Sequence, residues 1–404
     1  MKTPLTAIAI AVATLMILLF GINRPESFFF DEPLYVGPAK ALLAGAPDTN
    51  PEIPPLGKLI IATGVKAFGD NPFGWRVPGA FFGVLTVVGV FFWVKLLVHD
   101  YALALSAAVL ALLNNFVYVM SRVAMMDVFL VGFLIWGLVA FTVVLENDDL
   151  SLNKRRLILG AAGALFGFAT ACKWNATTTL GIVAVITAAL LWQAKRPQNQ
   201  RIVHYGRKLW EIGAGPCLIC LMIVPIITYS VTYWPLCHNL QRPFSISQLL
   251  AMNLSIWRLH RADSGNLFIA SKWYSWVFQV QPQRALSYLV GNWVIMWGGL
   301  LAVVFCVRRA FSSLPEALVV SLYAGNLLQW AITPQKHLYY YYYFPAAMFL
   351  GIAIAVALHR LPARVLGVRL SLLCVVAAGC VFLFCYPRMA RLDAPFDCAL
   401  GCWP

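Results

Sequence analysis

The chain has 404 residues, 61% of them hydrophobic and only 11% charged, against about 25% charged in an ordinary soluble chain. That composition excludes a soluble globular protein and predicts an all-α polytopic membrane protein, because long apolar segments in lipid must satisfy their own backbone hydrogen bonds. A net charge of +14 would point to nucleic acid in a soluble protein, but here the basic residues lie between apolar runs. No nucleic-acid, Walker or dinucleotide motif accompanies them, so no nucleic-acid partner is expected.

A helix needs about 20 apolar residues to cross the hydrocarbon layer. Runs of that kind predict eleven spans, near Leu5–Gly21, Val77–Val98, Tyr101–Val119, Met125–Leu145, Leu157–Cys172, Thr177–Trp192, Ile212–Val231, Leu286–Val307, Pro315–Ile332, Tyr339–Leu358 and Val368–Tyr386. The first, which lacks a small-residue cleavage site, reads as a retained helix rather than a signal peptide. "NKRR", "AKRPQNQRIVHYGRK", the Arg308–Arg309 pair and "HRLPARVLGVR" all fall on one side of this arrangement. The positive-inside rule makes that side, and the N-terminus, cytoplasmic.

Two long external segments remain, 22–76 and 232–284, rich in Trp, Tyr, Phe and Pro. They read as amphipathic helices and loops along the membrane surface. "DEPLYVGPAKALLAGAP" has the Pro start and Gly/Pro end of a short interfacial helix. No internal repeat divides the chain, and residues 1–404 read as a single transmembrane domain.

Chemistry-bearing residues gather on the external side. "FFFDEPLYVG" sets Asp31 and Glu32 behind three phenylalanines at the end of the first span. Such a pair can be a headgroup-level helix stop. A carboxylate enclosed by aromatic rings, however, keeps a raised proton affinity, which suits a general base acting on a hydroxyl. Arg76, in "NPFGWRVPGAFFG", can snorkel beside Trp75 or clamp a phosphate with its paired donors. "SRVAMMDVFL" carries Arg122 and Asp127, five residues apart and so poorly spaced to pair with each other. "ATACKWNA" adds Lys173, and Arg76, Arg122 and Lys173 then share the membrane face of the acid pair.

"FDE", "PPLGK", "WRVPGAFFG", "SRVAMMDVFL" and "CKWNA", followed by "ASKWYSWVFQVQP", "LVGNWVIMWGGLLAV" and "YYYYYFPA", resemble in order the protein O-mannosyltransferases that use dolichyl or polyprenyl phosphate mannose. The resemblance spans nearly the whole chain. It implies a GT-C membrane glycosyltransferase fold with an external site and a bacterial inner-membrane location, since the large external domain of the eukaryotic enzymes is missing. It further implies Asp31 as the catalytic acid residue, Glu32 as its acidic neighbour on the acceptor side, and Arg76 at the lipid phosphate. Lys336 and His337 fall in the region of further donor-facing polar residues. The chain departs from the family pattern at Ile53 and Tyr342, where His is common, and at Trp293, where Pro is common.

A polyprenyl phosphate sugar already has a good leaving group, so one base suffices where glycoside hydrolysis needs two carboxylates. Asp31 is expected to take the proton of the acceptor hydroxyl as it attacks C1 with inversion. Arg76, with Arg122, Lys173, Lys336 or His337, is expected to stabilise the departing phosphate. Protein Ser/Thr is the family's usual acceptor, and a lipid, lipopolysaccharide or cell-wall glycan would use the same donor half. No cofactor is required and no closed metal site is legible, although carboxylates and His337 leave a divalent metal open. A secondary transporter is the alternative from another class, but it would carry polar groups near mid-membrane and often two related halves. Cys217 and Cys220 read as helix packing, and a pairing of Cys398 with Cys402 or Cys237 is allowed by an oxidising compartment.

Overall fold

The computed structural model describes residues 2–194, 200–262, 270–279, 289–333, 337–361 and 364–390, and among them the chain forms helices and no strands. Helix α1 (Lys2–Leu19) leads into two short helices, α2 (Glu32–Leu43) and α3 (Leu56–Phe68), in the first predicted external segment. A long α4 (Pro72–Val98) then starts on Asn71, whose side chain accepts the Gly74 N–H at 3.0 Å while Pro72 presets the helical φ. It stops at His99, which turns left-handed at φ 52°.

Asp100 caps the next helix, α5 (Tyr101–Leu112), by accepting the N–H groups of Ala102 and Leu103. The single span expected over Tyr101–Val119 is broken here. Asn114 accepts the Phe116 N–H to begin a separate α6 (Asn115–Met120) and donates to the Ala347 carbonyl. An asparagine that can bond the backbone locally ends a helix even inside an apolar run.

The remaining helices are α7 (Met126–Glu146), α8 (Leu152–Cys172), α9 (Ala176–Gln193), α10 (Gln200–Ile212), α11 (Ala214–Leu218), α12 (Val224–Val231), α13 (Trp234–Asn239), α14 (Ile246–Ala262), α15 (Trp273–Trp276), α16 (Trp293–Val307), α17 (Leu314–Ile332), α18 (Phe344–His359) and α19 (Arg364–Met389). A π turn, Ile219–Ile223, joins α11 to α12, and a 3-10 turn, Tyr340–Tyr343, leads into α18. Seven helical stretches among the described residues are long and apolar enough to cross a membrane. Those at Thr3–Leu19, Tyr101–Leu112 and Trp293–Val307 are apolar but shorter. The chain is a multi-pass membrane protein, but the predicted count of eleven is not reached on these criteria.

Burial sorts the helices into pillars and rim. The apolar windows of α7 and of Tyr340–His359 are 78% and 89% buried, whereas those of Leu366–Met389 and Ala214–Asn239 are 17% and 22% buried. The first two form the centre, and the exposed apolar side chains of α12 and α19, such as Ile226, Leu372 and Phe384, face outward where lipid would lie. Buried amides join the helices. Asn292 of the "GNW" motif donates to the carbonyls of Leu113 and Ala378 at 3.0 and 2.9 Å, tying the N-terminus of α16 to α5 and α19. Interhelical bonds of this sort and small residues at contacts replace the hydrophobic drive that lipid removes.

Gly163 and Gly167 illustrate the small-residue contact. A Cβ on Gly163 would lie 1.8 Å from the Cys220 carbonyl oxygen, and one on Gly167 would lie 1.9 Å from Thr228 Oγ1, so α8 meets the π turn and α12 backbone to backbone. Cys217 and Cys220 are free thiols in this wall, in keeping with a packing role. Cys398 and Cys402 lie outside the described residues. Gly163→Ala is expected to destabilise the protein by about 1–3 kcal/mol through overpacking. Gly181→Ala, which places its new methyl within 4 Å of nothing, should not. Thermal unfolding of both variants in detergent separates the two outcomes.

Candidate active site

The two long segments between the apolar runs meet at one end of the bundle. Asn239 donates to the carbonyls of Leu42 and Ala46 at 3.1 and 3.3 Å. Leu42, Tyr233, Leu236 and Ile256 form a small apolar cluster against which Trp174 and Tyr229 pack. The Trp174 indole donates to the Tyr229 hydroxyl at 2.9 Å. The two long segments that read separately in sequence are thus packed on one another beside the "CKWN" turn.

Lys58 of "PPLGK" is fully buried and spends its ammonium donors on the preceding loop, at Asp48, at the Asn50 carbonyl (2.7 Å) and at the Ile53 carbonyl (3.2 Å). The motif holds a loop in shape. The acid pair divides between two tasks. Glu32 and Arg76 are both completely buried, and Arg76 Nε and Nη2 donate to Glu32 Oε1 and Oε2 at 2.7 and 2.8 Å. The other guanidinium N–H groups go to the carbonyls of Ile22 and Pro25, both at 2.9 Å, and of Ser27 at 3.1 Å. Glu32 also accepts the N–H groups of Phe29 and Ala124 at 2.8 and 3.1 Å.

A guanidinium has five N–H donors and a carboxylate about four lone-pair directions, and here every one is used inside the protein. Arg76 therefore has no donor left for a phosphate oxygen, and Glu32 no lone pair for an acceptor. Both expected contacts give way to a positioning role: the pair binds the end of α1, the 25–29 loop, α2, α4 and the turn before α7 into one unit.

Asp31 points elsewhere. Phe30 adopts φ 58°, a left-handed conformation that is costly for a bulky side chain and is found where the surroundings enforce it. Its ring sits edge-on to Tyr341 with centroids 5.1 Å apart. Asp31 occupies the N-cap of α2 but makes no capping bond. The one hydrogen bond to its carboxylate among the described residues comes from the Tyr341 hydroxyl, at 3.0 Å. Burial pushes the Asp31 carboxyl above its ordinary range. The Tyr341 bond and the Lys173 charge pull it back, and the nearby Asp127 adds to the rise.

Asp127, in the first turn of α7, takes the Lys173 ammonium on both carboxylate oxygens at 2.9 and 3.1 Å. Lys173 stands at the C-terminal cap of α8, where the helix dipole favours a cation, and lies 4.2 Å from the Tyr342 ring centroid and 5.1 Å from that of Tyr341. The structure therefore assembles Asp31, Asp127, Lys173, Tyr341 and Tyr342. Arg122 is elsewhere engaged: it donates to the Gly21 carbonyl at 2.9 Å and to the Tyr118 hydroxyl, over whose ring it lies. His337 is partly buried at the approach to the tyrosine run, and Lys336 lies outside the described residues. Tyr341 is the participant that sequence reasoning missed, and its only signal was its place in "YYYYY". No group of three metal-ligating side chains occurs among the described residues.

The all-helical membrane bundle has the architecture of the GT-C fold. The computed structure superposes on the Saccharomyces cerevisiae protein O-mannosyltransferase Pmt1-Pmt2 complex bound to the sugar donor with a TM-score of 0.78, covering 96% of this chain and 90% of that one at 13% identity. It also matches ArnT from Cupriavidus metallidurans bound to undecaprenyl phosphate, with a TM-score of 0.67, covering 96% and 66% at 16% identity. The fold is GT-C. Residues 54–240 match the family described as dolichyl-phosphate-mannose-protein mannosyltransferase. The chain is 24% identical to the polyprenol-phosphate-mannose–protein mannosyltransferase of Corynebacterium glutamicum over 88% of this chain and 82% of the relative. It spans about half the length of the mycobacterial relatives of the same description, 49% of the one from Mycolicibacterium smegmatis. The chain is thus similar to protein O-mannosyltransferases over these stretches.

Glu32→Gln is expected to cost about 3–5 kcal/mol by leaving Arg76 buried and uncompensated, read as a fall in unfolding free energy in detergent. Asp31→Asn should have the opposite sign. A carboxyl whose folded pKa is raised costs stability once the pH exceeds that pKa, and none below the ordinary value near 3.8, where it is protonated folded or unfolded. The variant should therefore equal or exceed wild type at pH 7, with the gain vanishing in acid, as melting curves across pH would report.

Proposed function

We propose that the protein transfers mannose from a polyprenyl phosphate donor to a hydroxyl of a protein Ser or Thr on the external face of a bacterial inner membrane, with inversion at C1. The observation that carries this reading is the Asp31 carboxylate: raised in proton affinity by burial, steadied by Tyr341, and set among the groups around the Lys173–Asp127 pair. The names of the corynebacterial and mycobacterial relatives support the donor and the protein acceptor.

In the proposed step the acceptor oxygen attacks C1 of the sugar while its proton passes to Asp31. The C1–O bond to phosphate breaks, and polyprenyl phosphate leaves with the bonding electrons. A base of raised pKa is well matched to a hydroxyl whose proton becomes acidic only as the bond forms. Lys173 is the cation best placed for the departing phosphate. Its pairing with Asp127 holds it in position, and both lie where an added anion would share the ammonium. Arg122, engaged with Gly21 and Tyr118, takes no part in this proposal, Lys336 and His337 remain secondary donors, and no cofactor is assigned, because the phosphate already leaves readily. Tyr339, Tyr341 and Tyr342 form an aromatic wall suited to the apolar face of a sugar.

The positive-inside pattern supports a cytoplasmic N-terminus and an external Asp31. A transporter is less favoured, because the clustered charges lie at the termini of α2, α7 and α8 rather than at mid-helix. Membranes carrying wild type or Asp31→Asn and supplied with radiolabelled polyprenyl phosphate mannose test the assignment. Label should enter protein with wild type and fall by at least about 100-fold with Asp31→Asn, the lower end of a general base's contribution. Label in lipid or glycan instead would redirect the acceptor. The wild-type rate should also decline as pH falls through a pKa above the usual carboxylate range. A pH–rate profile whose acid limb stays at an ordinary carboxylate pKa would count against Asp31 as the base.

A further inference from the structure

A polar cavity lies at the end of the bundle away from Asp31. It has a volume of about 600 Å³ and is formed where the α4–α5 turn, α10, the α16–α17 turn and the end of α18 meet. Arg76, in the second turn of α4, lies at the Asp31 end, and His99 caps the helix at this cavity. The helical rise from Arg76 to His99 places the two ends about 35 Å apart at about 1.5 Å per residue. The cavity cannot take part in the transfer step.

Its charge is basic. Arg201, Arg309 and Arg360 line it, together with His99 and His359, against one lining carboxylate, Asp100. Arg360 is bound to Glu316 in a two-point ion pair, and Asp100 caps α5 through Ala102 and Leu103. Arg309 is exposed and pairs with no carboxylate among the described residues. Leu103, Ile202 and Leu358 supply apolar wall beside these cations. Phe311, in the α16–α17 turn between the lining residues Arg309 and Ser312, is 93% exposed. A ring so exposed on a turn between two apolar helices suits the headgroup layer of a bilayer, where aromatic side chains anchor. A basic pocket between membrane helices at that depth has the chemistry of a lipid headgroup site.

We propose that this cavity binds the phosphate of an anionic phospholipid headgroup, with Arg309 and Arg201 as its cationic contacts and the leucine and isoleucine wall against the glycerol and first methylenes. The site is separate from the transfer chemistry. Occupying it joins four elements, α4–α5, α10, α16–α17 and α18, that meet there through side chains rather than one continuous backbone, so the bound lipid stabilises the fold by mass action.

Native mass spectrometry of the full-length protein in detergent, titrated with phosphatidylglycerol, phosphatidylcholine or inorganic phosphate, tests this. Wild type should retain one phosphatidylglycerol more tightly than phosphatidylcholine. Arg309→Glu and Arg201→Glu, both at exposed positions, should each weaken that retention about tenfold, as loss of one charge-assisted hydrogen bond implies. Arg309→Lys should restore most of it. Binding of inorganic phosphate at the same residues with no preference among lipids would keep the phosphate chemistry and overturn the lipid as its source. Equal phosphatidylglycerol retention by wild type and both glutamate variants, with unchanged melting temperatures, would overturn the site.

Discussion

Glu32 and Arg76 form a buried ion pair whose cost of desolvation is offset only because every donor and acceptor on both side chains is satisfied. Its partners come from the end of α1, the 25–29 loop, α2, α4 and the turn before α7, so one interaction sets the relative positions of five parts of the chain. Asp31 precedes Glu32 directly. With Glu32 anchored inward and Phe30 left-handed, the Asp31 carboxylate is presented to Tyr341 instead of capping its own helix. The fold thus holds one carboxylate saturated with hydrogen bonds and immobile, while its neighbour keeps a single partner among the described residues.

The opposite wall depends on a second pair. Asp127 and Lys173 come from the start of α7 and the end of α8, which also pack along their lengths, so the ammonium is fixed by helix packing as well as by charge. The Tyr340–Tyr343 turn supplies rings to both walls: Tyr341 reaches Asp31, and Tyr342 lies under Lys173 and stacks on Trp330 at 4.6 Å. Because α7 and the Tyr340–His359 stretch are the most buried of the candidate spans, Asp127, Tyr341 and Tyr342, the partners of Lys173 and Asp31, rest on the parts of the bundle with least room to move. Such rigidity is what electrostatic preorganisation needs, since dipoles that do not reorient cost nothing at the moment of reaction.

The membrane class, the positions of most helices, the gathering of charged motifs at one end of the bundle and the resemblance to protein O-mannosyltransferases were all legible in the chain, because apolar run length and motif order are one-dimensional properties. Asp31 was legible for the same reason: a carboxylate behind three aromatic residues is an anomaly on its face. Within the same motif, residue chemistry by itself did not separate Asp31 from Glu32, and only the family resemblance gave them different roles; Arg76 read as a phosphate ligand because a guanidinium beside a tryptophan has the right chemistry. Hydrogen-bond saturation decides its role instead, and saturation depends on carbonyls at Ile22, Pro25 and Ser27, which every residue possesses and no sequence pattern distinguishes.

The same limit explains the other differences. The break at Asn114 required a carbonyl on α18 as its partner, and the docking of α13 and α14 on α2 required contacts nearly two hundred residues apart. Tyr341 emerged from a run of five identical rings only when the turn at Tyr340–Tyr343 aimed it at Asp31. Composition and motif order by themselves determined that this is a multi-pass helical protein with its chemistry at one face, since hydrophobic length and charge placement act locally. Only the tertiary structure decided which of those charges are spent on holding the fold and that Asp31 keeps a single hydrogen-bond partner among the described residues, because satisfaction of a buried polar group is a property of its three-dimensional neighbours.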